Sequence, residues 1–484
     1  MGMEFLDPIL KAIPGIRKPS TPLSFKQKLK WTGMIMVVYF LMFSTPAFGV
    51  TISTLKSPVY QIINVIFAAR LGSLVTVGIG PIVLASIVLQ LLNGAGVIKI
   101  DLNNPEDKGR FQGIQKMGAM AIAVIEAVIY ASTGSVAPIS AAYFLPIVIQ
   151  FIIGAIIVIY LDEMMVKYGI TSGINLFIAG GVAYSIIAGT FTVLVPLAAT
   201  AIASGTATAI PQAILAFLPL LFTVVVFLVS LYVLEMKIEL PLVFSQFRGV
   251  GGRLPIPFLY VSVLPVILAT SLLYSLGVWF MPLAHVGGSA GTFIKFLAFY
   301  SNQSGTTTLS GGLIYLIQPN FQASPFTSGY STYVYQLTTE WTYLYPPWGG
   351  APIEVPELVH FFIYLIVIVI LCIIFGKLWV EMTGQSPKAM AEQLQDVGWQ
   401  IPGFRRDPRV IEGILNSYLP TITVLGSMFV GILAAFATIS GAIGGGMGVL
   451  LTAGIMYAIY QQLERDNLID SYPALSKFVS GNKQ

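Results

Sequence analysis

The chain carries very little charge: Asp, Glu, Lys and Arg make up 10% of its 484 residues, against about 25% in ordinary soluble domains. So few charges cannot cover a domain in water, which excludes a soluble globular protein. Cysteine is nearly absent as well, and the lone Cys372 rules out an internal disulfide. Histidine is limited to His285 and His360, so no Cys/His set with zinc-ligand spacing exists. No aspartate lies midway along a long apolar run, where an intramembrane aspartyl protease needs its pair. GVGGR at 249–253 is not the GxxxxGK of a phosphate-binding loop. These absences lead us to expect no catalytic residue, no metal and no cofactor. Whatever work the protein does has to be driven by a partner.

What the chain has is apolar length. It is 56% hydrophobic, with a mean hydropathy of +0.83. A helix needs about 20 mostly apolar residues to cross the hydrocarbon core. Ten runs qualify, near 31–49, 73–93, 114–133, 140–160, 173–196, 213–234, 256–282, 357–380, 415–437 and 440–462. Spanning strands would be shorter and would alternate in polarity, which these runs do not. We therefore expect an all-α integral membrane protein with ten transmembrane helices. The first thirty residues lack the uninterrupted apolar centre of a secretory signal. Phe5, Leu6, Ile9, Leu10 and Ile13 instead share one helical face, so residues 1–30 read as a cytoplasmic amphipathic segment lying on the membrane.

An even number of spans puts both termini on one side. With that side cytoplasmic, all of the 25 basic residues except Lys56, Arg70 and Lys295 fall inside, as the positive-inside bias requires. We expect a multi-pass protein of the cell membrane with both termini cytoplasmic. The spans divide into an N-terminal half at 31–196 and a C-terminal half at 213–462, joined by an external hinge at 197–212 and followed by a cytoplasmic tail at 463–484. Five spans per half turn the second half upside down relative to the first, the arrangement of inverted-repeat membrane proteins. Long loops lie inside at 235–255 and 381–413 and outside at 283–356. The outer loop holds the glycosylation sequon Asn302-Gln303-Ser304.

Between the first two spans, KSPVYQIINVIFAARLGS at 56–73 avoids charge, yet its core from Val59 to Ala69 is about half the length of a span. Pro58 can start a helix there, and Arg70 with Gly72 marks its end. TVGIG at 76–80 follows immediately. Short helix and glycine-rich turn together predict non-spanning backbone at membrane depth, which is tolerated only where protein buries it or a cavity borders it. The stretch differs by one residue from the TVGYG of a potassium filter, but a filter needs four copies around an axis, within the chain or by tetramerisation. The chain's other glycine-rich stretches do not repeat it, and Ile79 replaces the tyrosine that would brace it. GIGPIV also lacks the third glycine of a dinucleotide-binding turn, Val83 standing in its place.

Several further stretches make the chain similar to a known family. FKQKLKWTG at 25–33, LVTVGIGPIVLASIVLQLL at 74–92, FQGIQKM at 111–117 and IYLDEMMVKYGITSGINLFIA at 159–179 are four of them. YVSVLPVILA at 260–269, GFRRDPRVIE at 403–412 and GAIGGGMGVLLT at 441–452 are three more. Together these resemble the SecY family, the pore subunit of the protein translocation channel, in its archaeal form. The outer loop 283–356 has no counterpart we can place.

The resemblance implies a re-entrant plug helix at about 58–70, with Pro58, Tyr60, Ile63, Ile66, Phe67 and Arg70. It implies an aliphatic pore ring of Ile79, Val83, Ile174, Ile178, Ile267 and Leu451. Ile79 with Val83, and Ile174 with Ile178, stand four residues apart and so can share a helical face. It implies a lateral gate between spans two and seven, where Pro81 and Pro265 would permit bending and where Leu84, Val263 and Glu126 would lie. Leu84 and Val263 stand where the family leads us to expect polar partners for Glu126. Arg248, Arg253, Arg405, Arg406 and Arg409 match the loops that dock the ribosome. Unfolded secretory polypeptides and their signal sequences would be the substrate, with apolar segments released sideways into the membrane lipids. A SecE-like gamma subunit and a small beta subunit would be the partners. The alternative is an inverted-repeat secondary transporter of a small solute, which should hold several polar ligands at the midplane, where this chain offers essentially Glu126.

Overall fold

The computed structural model describes residues 15–21, 23–50, 69–94, 98, 105–132, 136, 138–206, 208–244, 251–261, 263–285, 288–303, 306–319, 329–348, 350–396, 399–400 and 408–471. Ten long helices lie among these residues: α1 Phe25–Ser44, α2 Gly80–Gly94, α3 Pro105–Ser132, α4 Phe144–Tyr168, α5 Gly173–Ala203, α6 Ala209–Glu235, α7 Leu264–Phe280, α8 Glu357–Met382, α9 Pro408–Ile439 and α10 Gly445–Ser471. Seven of these regions, from α3 to α9, are long and apolar enough to cross a membrane on length and composition alone. Along α8 the solvent-exposed positions Leu358, Val359, Phe362, Ile366, Ile370 and Ile374 recur on one face. Between 358 and 374 that face carries no polar group and has no other part of this chain against it, the character of a helix surface that meets lipid.

The helix ends are set by identifiable groups. Ser24 caps α1 in a reciprocal box: its hydroxyl accepts from the Gln27 backbone N–H at 3.4 Å, and Gln27 Oε1 accepts from the Ser24 N–H at 3.1 Å. The start of α5 is capped from another helix, since Asp162 of α4 accepts from the Ile174 N–H at 3.0 Å. Helix α5 contains a π-helical turn at Thr190–Leu194 and runs on to Ala203. The segment read as a hinge, 197–212, is thus largely helical. Only a short break after Ala203, with Gly205 at φ +62°, separates α5 from α6.

Packing reveals the repeat that composition only suggested. Within the N-terminal five, α2 packs on α3, α3 on α4, α1 on α4, α4 on α5 and α1 on α5. Within the C-terminal five, α7 packs on α8, α8 on α9, α6 on α9, α9 on α10 and α6 on α10. Adding five to each helix number converts the first set into the second. Two units of odd span number with one packing plan must enter the bilayer from opposite sides.

The long loops are not structureless. Strands β1 (Lys237–Phe244) and β2 (Gly251–Pro257) form an antiparallel hairpin, and β7 (Trp399–Gln400) adds to the far edge of β1. In the loop expected outside, β3 (Phe299–Gln303), β4 (Thr306–Gly311), β5 (Trp341–Leu344) and β6 (Ile353–Pro356) form a four-stranded sheet in that order.

Candidate functional site between the two halves

The halves meet along two principal seams. On one side α5 packs on α10, and on the other α2 and α3 pack on α7 and α8. The helices α2, α5, α7 and α10 therefore border the axis between the halves, and they carry five of the six positions expected to form a ring, the sixth, Ile79, immediately preceding α2. Ile79, Val83, Ile178, Ile267 and Leu451 all belong to one buried apolar cluster, and Ile174 packs against it half-buried. Residues spread over more than 370 positions of sequence are thus brought into one continuous apolar core. Their side chains offer no hydrogen bond and no charge. A throat lined this way can close without binding what passes through it.

The TVGIG turn is built differently from the expected span at 73–93, because α2 begins only at Gly80. The residues before it form a buried, self-satisfied knot. The Thr76 hydroxyl accepts from the Gly72 N–H at 3.0 Å and donates to the Ser73 carbonyl at 2.6 Å. The Ser73 hydroxyl donates to the Arg70 carbonyl at 2.7 Å and accepts from the Val75 N–H at 3.1 Å. Gly72 at φ +82° and Gly78 at φ +60° take conformations that a side chain would oppose. The Ala47 N–H donates to the Gly72 carbonyl at 2.8 Å, and the Leu74 N–H donates to the Thr45 carbonyl at 3.1 Å, tying the knot to the end of α1. Irregular backbone survives here because protein surrounds it and its polar groups are paired. A filter would turn these carbonyls toward an axis, whereas the Ile79 carbonyl accepts from Ile82 and Val83 to start α2. Ile79 thus precedes the helix whose first turn carries Val83.

Pro81 and Pro265 correct the expectation that they bend their helices. Both fall in the first turn, since α2 starts at Gly80 and α7 at Leu264. The first four N–H groups of a helix have no intrahelical acceptor, so proline there breaks no ladder and presets φ. Pro265→Ala is accordingly expected to change thermal stability by no more than about 1 kcal/mol. A kink-forming proline would show a larger change in a melting experiment. The two starts also match in sequence: Pro-Ile-Val-Leu-Ala-Ser at 81–86 and Pro-Val-Ile-Leu-Ala-Thr at 265–270. This was the signal of internal repetition available in the sequence, and it pairs Val83 with Ile267.

The other gate residues are all buried. Leu84 and Val263 are buried in the central cluster. Glu126 is buried on the face of α3 that also carries Ala123, Ala127 and Tyr130, and these join a second cluster with Val278 of α7. Of the plug residues, Pro58, Tyr60, Ile63, Ile66 and Phe67 lie outside the described residues. Arg70 is described, with its guanidinium 5.9 Å from the centre of the Phe43 ring.

At the end of the bundle expected to face the cytoplasm, β7 joins the two loops read as separate, 235–255 and 381–413, into one sheet. Arg253 lies on β2 in register with Pro241 of β1, and Arg409 is exposed in the first turn of α9. Arg248, Arg405 and Arg406 lie outside the described residues. On the N-terminal half, Glu163 binds Lys116 at 2.7 Å and Lys167 at 2.6 Å, and accepts from the Ile16 N–H at 3.0 Å. These contacts fasten the chain ahead of α1 to α4.

The outer sheet supplies residues that sequence reasoning did not single out. Glu357, at the start of α8, accepts from the Tyr315 hydroxyl at 3.0 Å and the Thr342 hydroxyl at 2.5 Å. His360 Nε2 donates to the Gln318 carbonyl at 2.9 Å, and the Gln318 amide donates to the Leu273 carbonyl of α7 at 2.5 Å. Tyr300 donates to the Gly277 carbonyl of α7. The outer loop thus holds the outer ends of α7 and α8 together. Partial burial, and then the nearby Glu357 carboxylate, raise the Glu340 carboxyl above its ordinary range. The legible signal was a lone acid, Glu357, opening a long apolar run.

The comparisons with known proteins agree with this geometry. The SecY family model matches residues 73–460. The protein translocase subunit SecY of Methanocaldococcus jannaschii is 36% identical over 482 residues, covering 99% of this chain and all of that relative. A solved structure of a SecY translocation channel, described as one whose plug domain stabilises the closed state and maintains a membrane seal, superposes with a TM-score of 0.77. It is 35% identical and covers 98% of this chain and 99% of that one. Sec61 in the canine ribosome–channel complex from the endoplasmic reticulum has a TM-score of 0.76 at 35% identity, with the same coverage.

Proposed function

The chain belongs to the SecY family of protein translocase subunits, and from that premise we propose that the axis between its halves is the path of an unfolded polypeptide across the membrane. The observation that supports this reading is that Ile79, Val83, Ile178, Ile267 and Leu451, from both halves, share one buried apolar cluster with Ile174 packed against it. A translocating chain presents every side-chain type in turn. A polar throat would hold some of them, whereas branched apolar groups hold none and shed water when the throat is narrow.

The α2–α7 seam is the sideways exit. A segment in the throat partitions between the path and lipid: Leu, Ile, Phe and Val each favour lipid by about 0.3–0.6 kcal/mol, and Lys, Arg or Asp cost about 2.5–3.5. Some 20 apolar residues win that competition, and a polar segment stays on the path. The first turns of α2 and α7, with Pro81 and Pro265, are where the seam starts to part. Residues 58–70 serve as the plug. The resting seal is then ring plus plug, and no step requires a catalytic group.

The joined inner loops, with Arg248, Arg253, Arg405, Arg406 and Arg409, form one basic surface for a ribosome, where guanidinium groups meet RNA phosphates. Gamma (SecE-like) and beta single-span subunits complete the complex in the cell membrane, and both termini face the cytoplasm. Nothing in the comparisons favours the solute transporter.

A stalled secretory chain is expected to cross-link to photoreactive probes placed at Ile79 and Ile267, on opposite halves. Labelling of those positions by lipid alone would show that the faces point outward and would remove the path.

A further inference from the structure

We propose that the outer sheet rests on the headgroup layer of the bilayer, held there by Trp341, Tyr343 and Trp348. Strand β5 has two unlike faces. Thr342 is fully buried, and its hydroxyl is bound to Glu357. Trp341 and Tyr343, on the opposite face, are 47% and 40% exposed. Trp348, in the turn that follows, is 81% exposed.

Depth is fixed by the chain itself. Trp341 is in register with Pro356, and Pro356 is the residue that caps α8. No linker separates the sheet from the helix. The lipid-facing positions of α8 begin in its first turn, at Leu358 and Val359. The exposed aromatics of β5 therefore stand about one helical turn, roughly 5 Å, from the start of a lipid-facing surface. At that level the surroundings are neither bulk water nor hydrocarbon. Trp and Tyr suit this layer, because each offers an apolar ring and one polar group to place in water.

The same character recurs nearby. The helix Tyr330–Thr339 buries Tyr333 and Leu337 and leaves Val334 and Tyr335 exposed. A sheet standing in water would gain nothing by presenting these rings. Continuity with the lipid face of α8 favours lipid over a protein partner as their cover. The surface does not depend on what passes along the axis.

The full-length chain, reconstituted in phosphatidylcholine vesicles with a minor share of phosphatidylglycerol, tests this. In a variant with Trp341 as the remaining tryptophan and the others changed to Phe, lipid brominated near the headgroup end of its acyl chain is expected to lower the emission at least about twofold. Emission unchanged by the brominated lipid overturns the proposal. Strong acrylamide quenching would then place the sheet in water, and weak quenching would place a protein over it. A nitroxide at Tyr343→Cys, in a Cys372→Ala background, gives an independent reading that retains the tryptophans. Greater accessibility to oxygen than to a water-soluble nickel chelate is expected, and the reverse order overturns the proposal.

Discussion

Replacing Ile79 and Ile178 together with asparagine is expected to make the resting channel conduct ions at least about tenfold more than the parent, because a polar throat no longer sheds water. Both side chains are fully buried and share one apolar cluster with Val83, Ile267 and Leu451. A carboxamide in that position offers hydrogen bonds to water on an axis that has none. Each buried amide also costs about 1–3 kcal/mol if it finds no partner, so folding has to be followed separately by thermal melting of the purified protein. The measurement is ionic current across a planar bilayer without a translocating chain. The conservative pair Ile79→Val with Ile178→Val should keep the seal, and so should asparagine at the lipid-facing positions Ile149 and Ile187, which are exposed. A folded double-asparagine protein with parental current would show that the seal lies elsewhere.

Gly154→Val is expected to prevent the N-terminal half from closing around the TVGIG knot. A Cβ at position 154 of α4 would stand 1.9 Å from the Leu74 carbonyl oxygen, and that atom is backbone. It cannot rotate away as a side chain would. Leu74 is itself tied by its N–H to the Thr45 carbonyl, so a shift there disturbs the end of α1 and the start of α2 together. Overpacking of this kind costs about 1–3 kcal/mol where the neighbours can give, and more where they cannot. We expect a loss above about 3 kcal/mol, read as a large drop in melting temperature and in the amount of protein that accumulates in the membrane. Gly33→Ala is the control, since a Cβ there meets nothing within 4 Å. Equal melting of the Gly154 and Gly33 variants would show that α4 and the knot are not in close contact.

Much of the architecture was legible before any coordinates. Apolar runs of one span each, separated by charge, mark the helices. The starts of two helices were misjudged for one physical reason. Residues 73–79 and 256–263 are as apolar as the helices they precede, and hydropathy cannot tell a buried turn from a buried helix. The hydroxyls of Ser73 and Thr76 and the left-handed glycines decide that question through hydrogen bonds. The prolines misled for the same reason, because their effect depends on where the helix begins. The positions proposed for the ring were reachable only through resemblance, since aliphatic residues fill every membrane helix.

The sequence by itself determined that this protein lives in lipid and how often it crosses, because those properties follow from the cost of moving charge and unpaired backbone out of water. Only the tertiary structure decided that aliphatic residues from both halves share one buried cluster, that the distant loops 235–255 and 381–413 make one sheet, and that the loop 283–356 grips α7 and α8. Those facts rest on contacts between residues far apart in the chain, and composition and periodicity carry no record of such contacts.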